Sequence, residues 1–252
     1  MTRSLLIAIL LVSVPAGVPA QGPEPPVGDT RLSVSTLLRE DVFAGFQQND
    51  LARLARAEKN IELLLASRPD DRPALLAWQG ATALVRAVHA SEKDDNQEFT
   101  RNYRRAIDLF AQAMRHGRGV VPVWAIVGGT NASLADRLPA TERKAAWEQG
   151  YGAYAELWSL QSGSLAKLPV HLRGELLAGL AQTAQRSGRV VEAAGYLEQI
   201  VTALADTPYA PLARTWKDDP KARGEGNLTC KTCHAPGVLA ARMAEIDKPP
   251  AN

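Results

Sequence analysis

From Ser35 onward, apolar residues recur three and four positions apart and no stretch alternates as a strand would, so the pattern predicts helices throughout. Ala, Leu, Glu, Gln and Arg, all strong helix formers, dominate the same region. Breakers at Asn49-Asp50, Arg68-Pro69-Asp70, His116-Gly117, Leu138-Pro139, Leu168-Pro169, Ser187-Gly188 and Thr207-Pro208 divide it into helices of about 12 to 20 residues. The expected fold class is all-α, with the helices arranged in pairs.

Small and apolar residues recur at matching offsets in several pairs. Ala57, Ile61 and Leu64 are spaced by four and three, and the same intervals separate Ala106, Phe110 and Ala113, and Ala193, Leu197 and Ile200. Gly45 and Ala181 lie twelve residues before two of these alanines, where facing helices could approach closely. Trp124, Val127 and Gly128 give a W-x2-V-G start to the third pair. These motifs resemble the tetratricopeptide repeat, and the resemblance covers about four degenerate units over residues 35–208. It implies a helix-turn-helix solenoid whose groove docks a protein partner. Two departures from the repeat are visible: a polar insertion around SEKDDNQEFTRN between the helices of the second unit, and no clear Ala-x3-Phe in the third. An irregular helical bundle is the alternative arrangement. Trp78, Trp124, Trp147 and Trp158 read as packing groups between helices, and His89, His116 and His171 as surface or capping residues.

Both ends differ from this region. Residues 1–20 combine a single charge at Arg3, an apolar run from Leu5 to Val14 and small residues at Val18 and Ala20, the pattern of a secretory signal peptide cleaved after Ala20. The expected location is periplasmic or secreted. Gln21 at the cleavage position gives no cysteine for a lipid, and no membrane anchor is expected. Residues 21–34, rich in Pro and Gly, read as a flexible leader. The formal charge of +2 falls to +1 once Arg3 leaves, which supports neither nucleic-acid nor anionic-membrane binding. No Ser/His/Asp arrangement, phosphate loop or H-E-x-x-H zinc motif is present, so catalytic residues are not assigned and an electron carrier or binding protein is favoured over an enzyme.

Residues 209–252 form a C-terminal segment containing both cysteines, in LTCKTCHAPG. C-x-x-C-H is the attachment site of c-type haem: Cys230 and Cys233 supply thiols for the haem vinyl groups, and His234 is placed to ligate iron as the axial residue. The expected cofactor is one covalent haem c. A thioredoxin-type disulfide lacks the surrounding βαβ pattern, and zinc lacks a second cysteine pair. Attachment outside the membrane agrees with the export signal, as the resemblance to cytochromes c implies. In the familiar small cytochrome the motif lies near the N-terminus, whereas a late motif is more like cytochrome c′. Met243 is a candidate second axial ligand, with packing beside Leu239 as its alternative; His171 and an open position also compete. The function expected is a monohaem electron-transfer protein whose repeats dock an unidentified protein, a possible redox partner. The alternative is a repeat-bearing interaction or assembly factor whose CxxCH is structural or redox-regulatory. The repeats are expected to bury their apolar faces against one another and not against residues past Pro220.

Overall fold

The computed structural model describes residues 27–225 and 227–229, and all regular structure among them is helical. The α-helices are α1 (Val34–Gln47), α2 (Leu51–Ser67), α3 (Arg72–Ser91), α4 (Asn96–His116), α5 (Val121–Leu134), α6 (Ala140–Gln161), α7 (Val170–Arg186), α8 (Val190–Ala203), α9 (Tyr209–Asp218) and α10 (Pro220–Glu225). Five of the starts have a plain local cause. Ser33 accepts from the Thr36 amide, Asp50 from those of Ala52 and Arg53, and Asp95 from that of Glu98, while Pro139 and Pro169 stand directly before α6 and α7. The turns before α2 and α4 include Asn49 and Asp94 at positive φ, residue types that tolerate left-handed backbone.

Consecutive helices pack as hairpins: α1 with α2, α3 with α4, α5 with α6, and α7 with α8. The odd helices also touch one another in a row, α1 to α3 to α5 to α7, and α9 packs on α8 at the end of that row. The segment SEKDDNQEFTRN is not an insertion between helices. Only Glu92–Asp95 form the turn, and Asn96 to Asn102 are the first two turns of α4, because the Asp95 cap lets the helix start earlier than its apolar residues indicate.

The offset residues line the hairpin seams. Ala57, Ile61 and Leu64 are buried on α2, Ala106, Phe110 and Ala113 on α4, and Ala193, Leu197 and Ile200 on α8. Helix α6 carries the same intervals in Gly150, Tyr154 and Leu157, all buried, with Gly replacing Ala and Tyr replacing Phe, which is why the third hairpin escaped the pattern. In the second and third hairpins a glycine stands opposite the large residue of the seam. A Cβ on Gly80 would come 2.6 Å from the Phe110 ring, and one on Gly128 would come 2.9 Å from Tyr154. One on Gly179 in α7 would lie 2.1 Å from the other side of Tyr154. Trp78, Trp124 and Trp147 are buried and Trp158 packs edge-on to Tyr196 at 6.0 Å, so these tryptophans serve packing.

Three expectations are corrected. His89 is not at the surface: it is buried on α3, and its Nε2 donates to the Gly45 carbonyl at 3.1 Å. The leader is held in its second half, where Leu32 is buried and Arg68 donates to the carbonyls of Leu32 and Asp29 at 2.8 and 2.7 Å. The core also extends past Pro220, because Leu228 joins a buried cluster with Leu177, Ala181, Leu197, Leu204 and Trp216.

Substituting Gly179→Ala should destabilise the protein by about 2–3 kcal/mol, since the buried Tyr154 ring has nowhere to retreat. Gly152→Ala, on exposed α6 with open space around it, should stabilise by about 0.5–1 kcal/mol. Thermal unfolding of the two variants checks both signs. A second expectation concerns acid. Arg137 bonds Glu92 at 2.8 Å and holds its carboxyl below the usual carboxylate range against the opposing effect of burial. A depressed folded value stabilises above the unfolded value and is lost as pH falls through the folded one. The advantage of wild type over Glu92→Gln, present at neutral pH, should therefore shrink below about pH 4.3 in denaturant titrations.

Candidate functional site

Cys230, Cys233, His234 and Met243 lie outside the described residues. The residues leading to them are described as far as Thr229. After α9 and the short α10 the chain turns back onto α7, and Leu228 and Thr229 are 5% and 1% exposed. Asn227 fixes the turn, its side-chain oxygen accepting from both the Thr229 amide and the Thr229 hydroxyl at 2.9 Å.

Gln182 of α7, itself 1% exposed, holds this segment from below. Its Oε1 accepts the Leu228 amide at 2.7 Å, and its Nε2 donates to the Ala132 carbonyl of α5 at 3.0 Å. A buried polar side chain costs stability unless both of its ends are satisfied, and here both are. The Leu228 side chain belongs to the cluster shared by α7, α8 and α9, whose centre is the buried Trp216. In sequence the CxxCH motif begins two residues beyond a backbone amide fixed to the helical array. Neither Gln182 nor Leu228 was among the sequence-derived site residues. Leu228 had a signal: it is the one large apolar residue in the polar run from Lys217 to Gly237. Gln182 had none, since a glutamine on a helix reads as solvent-facing until its neighbours are known.

Of the histidines named from sequence, His116 is exposed in the last turn of α4. His171 is half-buried at the start of α7, with Nδ1 3.2 Å from the Tyr209 hydroxyl, which in turn donates to Glu175 at 3.0 Å. Eleven residues of helix separate His171 from Gln182, about 16 Å along the axis. That distance and its tyrosine partner set it apart from the root of the motif.

A cleft of about 340 Å³ opens between the turn Ser162–Lys167, α7 and the end of α8, with Leu165, Arg173, Leu177 and Leu204 in its lining. Arg173 and Leu177 lie nine and five residues before Gln182, which places them about 180° and 140° around α7 from it. Leu177 and Leu204 also belong to the buried cluster that takes in Leu228, so the cleft borders the packing around that residue. Among the described residues no three His, Cys, Asp or Glu side chains group as metal ligands, and no helix is long and apolar enough to cross a membrane. On α6 the Tyr151 hydroxyl, bonded to Glu192, is pushed above the usual tyrosine range, first by burial and then by that bond. This polar contact joins α6 to α8. In comparisons with known proteins the chain matches no family model, no curated protein and no solved structure.

Truncating Leu228→Ala should cost about 2–3 kcal/mol, as expected for emptying a buried leucine site. Limited proteolysis should then cut between Asp218 and Cys230 faster than in wild type, while cleavage within α1 to α6 stays unchanged.

Proposed function

We propose that this chain is an exported monohaem c-type electron-transfer protein in which a helical array of tetratricopeptide-repeat type carries a haem-bearing tail and docks a protein partner. Cys230 and Cys233 would hold the haem through thioethers and His234 would ligate its iron, with Met243 as the candidate opposite ligand. When bound, the haem supplies one-electron chemistry, and the protein's part is to fix where it stands.

The observation that carries this reading is the root of the motif. A redox group on a free tether would meet its partner at many distances and orientations. Here the residue before Cys230 is buried and the one before that is bonded to α7. The array thus anchors the chain up to Thr229, and its hairpins in a row supply an extended surface of the kind that binds partners. The row of odd helices touching one another, with each even helix packed on its own odd partner, supports the repeat reading.

The test is production of the full chain in a host that matures c-type cytochromes, followed by denaturing electrophoresis with haem staining. Wild type should carry a haem band that survives denaturation, and Cys230→Ala with Cys233→Ala should lose it. A wild-type band without covalent haem would overturn the proposal and leave a helical interaction protein with a dithiol tail. In the same preparation, a low-spin visible spectrum that turns high-spin in Met243→Ala would assign the opposite ligand, and an unchanged spectrum would exclude Met243.

A further inference from the structure

The cleft of about 340 Å³ between the turn Ser162–Lys167, α7 and the end of α8 has a plain origin. The turn packs chiefly on α6, whose chain it continues, and so leaves a gap towards the next hairpin. Leu165 leans on the larger core, while Leu177 and Leu204 belong to the smaller cluster around Trp216. The cleft lies where the two meet, and its floor is apolar.

The charge around that floor is of one sign. Lys167 of the turn and Arg173 of α7 line the cleft, and no Asp or Glu does. Neither cation takes part in an ion pair among the described residues. Lys167 is exposed, whereas Arg173 is half-buried, and its Nε is out of water with no hydrogen-bond partner among the described residues. A guanidinium N–H withdrawn from water costs free energy until an acceptor reaches it. Arg173 and Leu177 stand one turn apart on the same face of α7, so the donor and the apolar floor address the same occupant.

The occupant's chemistry follows from these parts. The planar fork of an arginine matches the two oxygens of a carboxylate, and the second cation adds to its charge selectivity. The leucines call for an apolar tail, which an inorganic anion lacks. At about 30 Å³ for a water-sized group the cleft has room for about eleven, so two oxygens leave about eight or nine carbons. We infer that the cleft is a binding site for a medium-chain carboxylate, held at its head by Arg173 and Lys167 and along its tail by Leu165, Leu177 and Leu204. This inference concerns a site separate from the CxxCH motif and does not rest on the haem reading.

The test is calorimetric titration of the full chain with octanoate, with 1-octanol and acetate as probes that keep only the tail or only the charge. Octanoate should bind one per chain, and each partial probe at least about tenfold more weakly, the loss expected when a charge-assisted hydrogen bond or a buried tail is missing. Arg173→Gln should raise the octanoate Kd about tenfold or more, and Lys167→Gln, at an exposed position, about two- to fivefold. Ala203→Trp, at the exposed last residue of α8, should fill the cleft and abolish binding, while Lys59→Gln, exposed on α2, should change nothing. If Arg173→Gln does not fold, the two exposed lining variants decide the matter. Equal affinity for octanol and octanoate would overturn the inference, as would an octanoate Kd unchanged by both Lys167→Gln and Ala203→Trp. A Soret shift on adding octanoate that persists in Ala203→Trp would put the carboxylate on the haem iron, overturning the cleft site and leaving the haem reading standing. Octanoate binding that Ala203→Trp abolishes in a chain without covalent haem would uphold the cleft site while the haem reading falls.

Discussion

The array depends on the absence of side chains opposite one ring. Tyr154 of α6 lies between Gly128 of α5 and Gly179 of α7, close enough that a methyl group on either glycine would overlap it. This single aromatic fixes the spacing of one hairpin and of the next, because the same atoms set both distances. Phe110 against Gly80 does the corresponding work within the second hairpin. Close packing of this kind has two states, seated or displaced, and no range of compromises between them. The positions of α5 and α7, and so of Ala132 and Gln182, follow from it. A clamp that bridges two helices can be satisfied at both ends only if those helices are held to within a few tenths of an ångström.

Much of this was legible in the chain before any coordinates. Periodicity gave the helical class, and the breakers gave most boundaries, since Pro139, Pro169 and Gly188 act through local backbone preference. The seam residues of α2, α4 and α8 were visible as a spacing of four and three. The α6 seam was hidden because a glycine and a tyrosine occupy the roles elsewhere taken by alanine and phenylalanine, and identity-based matching does not register equivalent volume. The start of α4 was misread for a different reason: its first two turns are polar, and a cap at Asp95 starts a helix regardless of apolar content. His89 was misplaced because burial of a single polar ring depends on a carbonyl 44 residues away.

Cys230, Cys233 and His234 were singled out from sequence by spacing alone, and they lie outside the described residues. What holds the segment before them is long-range: the Leu228 amide finds Gln182 46 residues earlier, and Gln182 finds Ala132 a further 50 back. No window of sequence contains all three. An amide side chain suits this role because it offers one acceptor and one donor in a fixed plane. A carboxylate of the same shape would present oxygen to the Ala132 carbonyl as well.

The hairpin arrangement also bears on the order in which the chain can assemble. Nearly all packing joins helices adjacent in sequence or next but one, so each closes a short loop and can form as soon as its neighbour exists. Leu228 is different. Its pocket is made by α7, α8 and α9 together, and its amide partner is aligned only when α5 is present as well. Among the described residues it is therefore the last apolar side chain that can find its place.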